Sequence, residues 1–230
     1  MTHPTDAYNL RKWNQSLISP RHLTGLTRLY QASAGLAADG YLGPLTLQSL
    51  DTELLADPDR GMPYGASEVG FYALQAAIAD LGCGESEGNN LGPDIERYRD
   101  AVTSKRDGKP DSWCAYFVSW CLLEGSRRAD QPTGFRLSGG AKRLCQRAIK
   151  AGARHITSPE CGLPGDLIVW WREQRTKLST PGKGHIGIVE SMDGAIAHTI
   201  EGNKGRYPAK VRRIPHDLSD DPSWLGFVRI

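Results

Sequence analysis

The residues in this chain best placed to do chemistry are a cysteine at the head of a predicted helix and a histidine at the start of a predicted strand. The stretch DSWCAYFVSWCLLEG, residues 111–125, opens on Asp111 and Ser112, either of which caps a helix well, and repeats Ala115, Val118 and Leu122 on one face. Gly125 is placed to stop that helix. Cys114 then falls in the first turn, where unpaired backbone N–H groups and the positive end of the helix dipole favour a thiolate. Such sites draw a cysteine pKa from about 8.5 to between roughly 3.5 and 7.5. A thiolate so formed is a nucleophile without the help of a metal. Taken alone, Cys114 would read as a small buried hydrophobe, the reading that suits Cys83, Cys121, Cys145 and Cys161.

A cysteine nucleophile requires an imidazole within hydrogen-bond reach and a third polar group to orient that ring. Of the six histidines, His3 lies near the start of the chain, His22 belongs to an N-terminal segment, and His155 and His216 sit among Arg, Ser, Pro and Asp. His185 and His198 remain. His185 opens the run HIGIVES directly after the loop PGKG, where a side chain can project from the end of a sheet into a cleft. A three-residue loop of Met192, Asp193 and Gly194, with Gly194 left-handed, would set Ile188 opposite His198 and His185 opposite Glu201. The two-residue period of a strand then puts His185, Glu201 and Asn203 on one face and His198 on the other. A two-residue Asp193-Gly194 loop would reverse that parity, so the loop length is a commitment made partly on chemical grounds.

The elements that must carry these residues are legible in outline. Residues 55–67, LADPDRGMPYGAS, have the composition of a linker and divide a small helical unit, 1–60, from a larger domain, 61–230. In the small unit Leu23, Leu26, Leu29 and Tyr30 recur at helical spacing, and Leu45, Leu47 and Leu50 begin a second helix after a turn. The larger domain opens with a helix from Val69 to Leu81, bearing Phe71, Leu74, Ile78 and Leu81 on one stripe, followed by the cysteine helix, Asp111 to Leu123. From Gly165 the pattern changes to the short runs DLIVWW (166–171), IGIV (186–189) and AIAHTI (195–200), which read as antiparallel strands. Helices followed by sheet make an α+β domain.

Composition excludes several classes. Lys and Arg number 28 against 26 Asp and Glu, and a net charge of +2 is too small for a nucleic-acid binder driven by counterion release. The first twenty residues contain no apolar run like a signal peptide, and no segment has the length to span a bilayer; synthesis in the cytoplasm, without membrane insertion, is the expectation. Five cysteines without CxxC pairs point to neither a disulfide framework nor a structural zinc. Cys114 and Cys121 on one helix would have α-carbons about 10 Å apart, beyond disulfide reach.

The runs SWCAYFVSWCL, LPGDLIVWW, GHIGIVES and TIEGN, in that order and spacing, resemble the CHAP family of cysteine amidohydrolases and peptidases. The similarity begins with VGFYALQAAIADLGCGESEGNNLGPDIERY and covers most of residues 66–205. It implies a papain-like fold and cleavage of peptidoglycan amide bonds, with Cys114 as nucleophile, His185 as base, Glu201 as the orienter of the ring and Asn203 as a further polar member. Trp113, beside the nucleophile, is a substrate-binding candidate. Residues 26–50 resemble the peptidoglycan-binding helical module marked by a DGxxGPxT turn, here Asp39 to Thr46, which makes Asp39 and Tyr41 substrate-binding candidates as well. The alternative is an ordinary helix-turn-helix. Some CHAP members bind calcium through an acidic loop before the nucleophile, but here SKRDGKPDS offers only Asp107 and Asp111 among three cations, so no metal and no cofactor is expected.

The function expected is that of a monomeric cell-wall hydrolase cutting either the muramoyl–alanine amide or a bond of the stem or cross-link. A phage endolysin and an injected bacterial effector are both compatible settings. A non-catalytic wall-binding protein and an acyltransferase are the rival classes.

Overall fold

Residues 20–41, 46, 66–102, 111–172, 177–180 and 182–230 are described by a computed structural model. The chain divides into two units, Met1–Tyr64 and Gly65–Ile230. In the first, helix α1 (Pro20–Ser33) is followed by the Asp39-Gly40 turn. Among the described side chains of α1, the buried ones are polar. Thr27 and Gln31 are buried, while Leu26 and Leu29, which the spacing singles out, are exposed. Gln31 holds the turn: its carbonyl accepts from Gly40 N–H at 2.8 Å, and its amide nitrogen lies 2.8–2.9 Å from Asp39 Oδ1, Tyr41 O and Thr46 Oγ1. Gly40 has φ +78°, and a Cβ there would stand 2.6 Å from the Thr24 methyl, so the turn demands glycine. Gly43, Pro44, Leu45, Leu47 and Leu50 lie outside the described residues.

Among the described residues the second unit holds four helices, α2 (Glu68–Ala79), α3 (Pro93–Asp100), α4 (Cys114–Arg128) and α5 (Ala141–Lys150). Its strands are β1 (Arg154–Ile156), β2 (Leu167–Trp171), β3 (Gly184–Asp193), β4 (Ile196–Lys204), β5 (Lys210–Asp217) and β6 (Trp224–Arg229), in the spatial order β1-β6-β2-β3-β4-β5 with antiparallel pairing. The fold is α+β, as the sequence pattern indicates. Ser67 starts α2 by accepting from Gly70 N–H at 3.1 Å. Phe117, Val118, Cys121 and Leu122 of α4 share one buried cluster with Ile186, Ile188 and Ile200 of the sheet. The opposite face of the sheet carries a second cluster, of Ile168, Trp170, Val189, Ala197, Leu218 and Phe227. With both faces covered, the strands read as nearly continuous apolar runs.

Three expectations are corrected by the packing. The cysteine helix begins at Cys114 itself, with Trp113 rather than Asp111 or Ser112 in the capping position and no side-chain cap bond. Gly125 does not stop α4, which continues to Arg128; a Cβ at Gly125 would lie 2.3 Å from Val69 O and 2.8 Å from Ala73 N, so this glycine lets α2 and α4 cross in close contact. The β3–β4 hairpin pairs Asp193 with Ile196, leaving a two-residue loop, Gly194 and Ala195, in place of three.

That shorter loop reverses the side-chain parity, and a bulge at Glu190 restores it: Ser191 pairs with His198, but Val189 pairs with Thr199 and Ile188 with Ile200. Expected and observed registers thus differ by two residues along most of β3, with the same faces presented. The bulged Glu190 is held by Arg213 of β5, whose Nε lies 2.9 Å from both of its oxygens. Strands β1, β5 and β6 have no counterpart in the sequence reading. In β5, KVRRIPHD, charged residues interrupt the apolar alternation.

The contact between α4 and the sheet depends on Gly202, where a Cβ would lie 2.6 Å from the Trp113 ring and 2.9 Å from Phe117 Cβ. Gly202→Ala is therefore expected to destabilise the unit by about 1–3 kcal/mol through overpacking. A lowered urea midpoint with an unchanged slope checks this; an unaltered midpoint contradicts the packing described.

Candidate active site

As the first residue of α4, Cys114 has a backbone N–H with no partner inside the helix. Its side chain is almost entirely buried yet lines a cavity of about 530 Å³ together with Ser112, Tyr116 and Arg172. Trp113 directs the chain into that position. Its indole is fully buried, stacks on Tyr98 at 5.7 Å between ring centres, and donates to Glu85 Oε1 at 3.2 Å. Glu85 is itself buried and accepts from Asn90 N–H at 2.8 Å and Ala209 N–H at 2.7 Å, which ties the cysteine end of α4 to the entry of β5.

The imidazole of His185 projects from the beginning of β3. Nε2 lies 2.5 Å from Glu201 Oε2, and Nδ1 lies 2.7 Å from Arg172 Nη2. Because Nε2 is engaged by the carboxylate, Nδ1 is the nitrogen turned away from Glu201, and Arg172 donates to it. Glu201 reaches the ring across Gly187, where a Cβ would lie 2.8 Å from Glu201 Cγ. The carboxylate has no solvent exposure and is surrounded by donors: His185 and Lys204 Nζ (3.1 Å) on one oxygen, His216 and Thr199 Oγ1 (2.8 Å) on the other.

Burial alone would raise the Cys114 thiol, but the hydrogen bond and charge of His185, the charge of Arg172 and a backbone bond from Ile186 outweigh it and hold the thiol below its ordinary value. For His185 burial works to lower the value, and the bonds to Cys114 and Glu201 overcome it, leaving the imidazole raised. Burial likewise opposes the ionised form of Glu201, yet the hydrogen bonds from His185 and His216 and the charges of His185 and Lys204 keep its carboxyl well below the usual range. Burial dominates at the other helix cysteines: Cys121 is pushed well above its ordinary value and Cys145 to about 12. Of the buried helix cysteines, Cys114 is thus the one whose surroundings lower rather than raise the thiol.

The CHAP domain family model matches residues 105–203, a segment containing Cys114, His185, Glu201 and Asn203. The match covers less than half of the chain, and this segment is similar to the CHAP family. No curated protein matches the chain. Among solved structures, the chain is similar to NlpC1 from Trichomonas vaginalis, with 15% identity over 73% of this chain and a TM-score of 0.38, and to Ly7917, with 17% identity over 71% and a TM-score of 0.39. It covers 46% of the former and 62% of the latter. A further structure of Ly7917, with the hydrolysing product of MDP, aligns at 17% identity over 70% of this chain and 62% of that one, with a TM-score of 0.36.

Within the CHAP segment Cys114, His185 and Glu201 come together, and Asn203, at φ +57°, lines with His185 a second cavity of about 480 Å³. Asn203 donates to Asn90 Oδ1 at 3.3 Å. His198 is exposed and faces away from this group. The assignment of Trp113 to substrate is corrected: a side chain with no exposed surface is a core residue that positions its neighbour. Asp39 and Tyr41 belong to the other unit, where Asp39 Oδ1 accepts from Tyr41 N–H at 2.8 Å and Tyr41 is exposed. Asp107 lies outside the described residues. Cys161, read as a small buried residue, is exposed.

The sequence pattern set His216 aside as part of a polar segment and gave no place to Arg172 or Thr199. Arg172 ends the run DLIVWWR and lines both cavities. His216 bonds Glu201 and stands 4.6 Å from the ring of Trp170, which in turn is 5.9 Å from His185. Thr199 lies two residues before Glu201, so the alternation in HTIEGN carried the signal for it. For His216 the only available signal was strand β5, and its charged residues concealed it.

Two measurements follow from the charge distribution. The rate of iodoacetamide labelling at Cys114 should fall off at a pH below the ordinary thiol range near 8.5, and His185→Ala should move that fall upward; equal profiles for the two proteins would contradict the coupling. Because the Glu201 carboxyl is lower in the folded than in the unfolded chain, its stabilisation is complete above the ordinary value near 4.3 and is lost as pH falls below it. The stability gap between the native protein and Glu201→Gln should thus narrow on acidification below about pH 4, and a gap independent of pH would refute it.

Proposed function

We propose that the protein is a cysteine hydrolase that cleaves an amide bond of bacterial peptidoglycan. The observation that carries this reading is the bond between the His185 ring and the buried Glu201 carboxylate, within a CHAP segment whose Cys114 heads α4 and lines a cleft, its thiol held below the ordinary value chiefly by His185.

The arrangement supports acyl transfer in two stages. The Cys114 proton passes to Nδ1 of His185, while Nε2–H remains on Glu201 and the carboxylate stabilises the imidazolium. The thiolate attacks the carbonyl carbon, and the oxyanion is met by the Cys114 backbone N–H at the head of α4. Nδ1–H protonates the amine as the C–N bond breaks, leaving a thioester. Water, deprotonated by Nδ1, then attacks that carbonyl, and the C–S bond breaks to return the thiol. Arg172 donates to Nδ1 in the resting arrangement, so it must withdraw when that nitrogen carries a proton. Asn203 lines the cleft on the His185 side and is assigned to contact the departing half of the substrate.

The Asp39-Gly40 turn resembles that of a peptidoglycan-binding module, and we assign wall contact to Asp39 and Tyr41. Among the described residues no helix is long and apolar enough to cross a membrane. A phage endolysin, reaching the wall from the cytoplasm after lysis begins, is the setting we favour.

Cys114→Ala should abolish solubilisation of purified cell walls while leaving the circular dichroism spectrum unchanged, and mass spectrometry of the fragments from the native protein identifies the bond by its new amine. Wall lysis by Cys114→Ala would refute the nucleophile, and release of reducing sugar ends without new amines would refute amide cleavage.

A further inference from the structure

The cleft has two arms of different electrostatic character. They share Ser112 and Arg172, and the reacting pair lies between them. The arm on the His185 side combines Trp170, Asn203, Lys204, His216 and Asp221, a mixed and mostly neutral lining. The arm on the Cys114 side is lined by Arg136, Arg143, Arg147, Arg172 and Lys183, against which Asp111 is the one carboxylate among the described lining residues.

This accumulation of cations is unlike the rest of the unit. Five arginines elsewhere are matched to acids, Arg97 with Asp80, Arg99 with Glu96, Arg127 with Glu124, Arg213 with Glu190, and Arg229 with Asp166, whereas Arg128 bonds the neutral Gln75. For Arg136, Arg143 and Arg147 no ion pair occurs among the described residues, and the charges of Arg136 and Arg143 act together with burial to lower Arg147. Arg143 and Arg147 stand one turn apart on α5, a spacing at which like charges repel. Arg147 also donates to the carbonyls of Arg136 (3.2 Å) and Leu137 (2.7 Å), which fixes the segment bearing Arg136 against α5. Among the described residues no acid is paired with the cluster, and an anion entering the arm would supply a counter-charge.

We propose that the arm beside Cys114 is a carboxylate-recognition subsite, with Arg136, Arg143 and Arg147 selecting acyl-donor peptides that carry a free carboxylate close to the scissile amide. The inference rests on the proposed hydrolase reading, and chemistry gives its direction. In acyl transfer the amine departs toward the group that protonates it, His185, so the half of the substrate retained on the sulfur occupies the Cys114 arm. Stem peptides of peptidoglycan carry carboxylates that are either free or amidated, and planar guanidinium groups bind the former bidentately. Binding there also offers Arg172 an anionic partner in place of His185 Nδ1, freeing that nitrogen to accept the thiol proton.

The test compares muropeptides of one sequence with the stem carboxylates free or amidated. Native protein should cleave the free form with a kcat/KM about tenfold higher or more, and rising salt should reduce the preference. Arg136→Gln combined with Arg143→Gln should bring the two forms to within about twofold, chiefly through a lower kcat/KM on the free form. Equal cleavage of both forms by native protein, or full discrimination by the double variant, would overturn the subsite. Calorimetry on Cys114→Ala separates the two levels of the argument. A binding preference for the free form without cleavage of any wall material sinks the hydrolase and leaves the subsite standing; cleavage without preference in either measurement does the reverse.

Discussion

A fully buried carboxylate is the constraint on which this structure depends. Removing an ionised carboxylate from water costs several kcal/mol unless donors replace the lost solvation, and Glu201 is surrounded by Thr199, Lys204, His185 and His216. Each donor comes from a different place along β3, β4 and β5, so the strands must be in register before the charge can be accommodated. Once it is, the charge fixes the ring of His185, its tautomer and the direction of Nδ1. The thiol of Cys114 experiences the same charge at one remove, through the ring.

Two glycines bring the helix and the sheet to the distances this requires. Gly187 leaves room for the Glu201 side chain to pass to His185, and Gly202 lets the Trp113 and Phe117 end of α4 rest on β4. They lie in the runs HIGIVES and TIEGN that marked the chain as similar to a family. Their presence there has a steric reason: any side chain at either point would separate the sulfur from the imidazole or the imidazole from the acid. The buried Glu85 does comparable service from the other side, joining Trp113, Asn90 and Ala209 in one set of bonds.

The sequence revealed the residues of this arrangement more readily than its geometry. A cysteine at a helix start, a histidine at a strand start and an acid of matching parity are local patterns, and local patterns survive in a linear reading. The register was reached by a compensating pair of errors, since a loop one residue shorter and a bulge at Glu190 together preserve the parity that a three-residue loop would give. No alternation signal distinguishes those cases. Trp113 looked like a ligand contact because it adjoins the nucleophile, whereas its indole stacks on Tyr98 and bonds Glu85 inside the core. His216 and Arg172 were hidden for a different reason. One sits in a strand rich in charge, the other at the end of an apolar run, and their significance arises only from partners distant in sequence.

The central claim is that the sulfur of Cys114 carries the acyl group during turnover, and it can be examined by rapid acid quench of native protein mixed with stem peptide, followed by proteolysis and mass spectrometry. The account predicts a hydroxylamine-labile acyl mass on the peptide containing Cys114, formed before free acid accumulates and absent from His185→Ala. Turnover with no such adduct, or an adduct on Cys121, Cys145 or Cys161 instead, would contradict it.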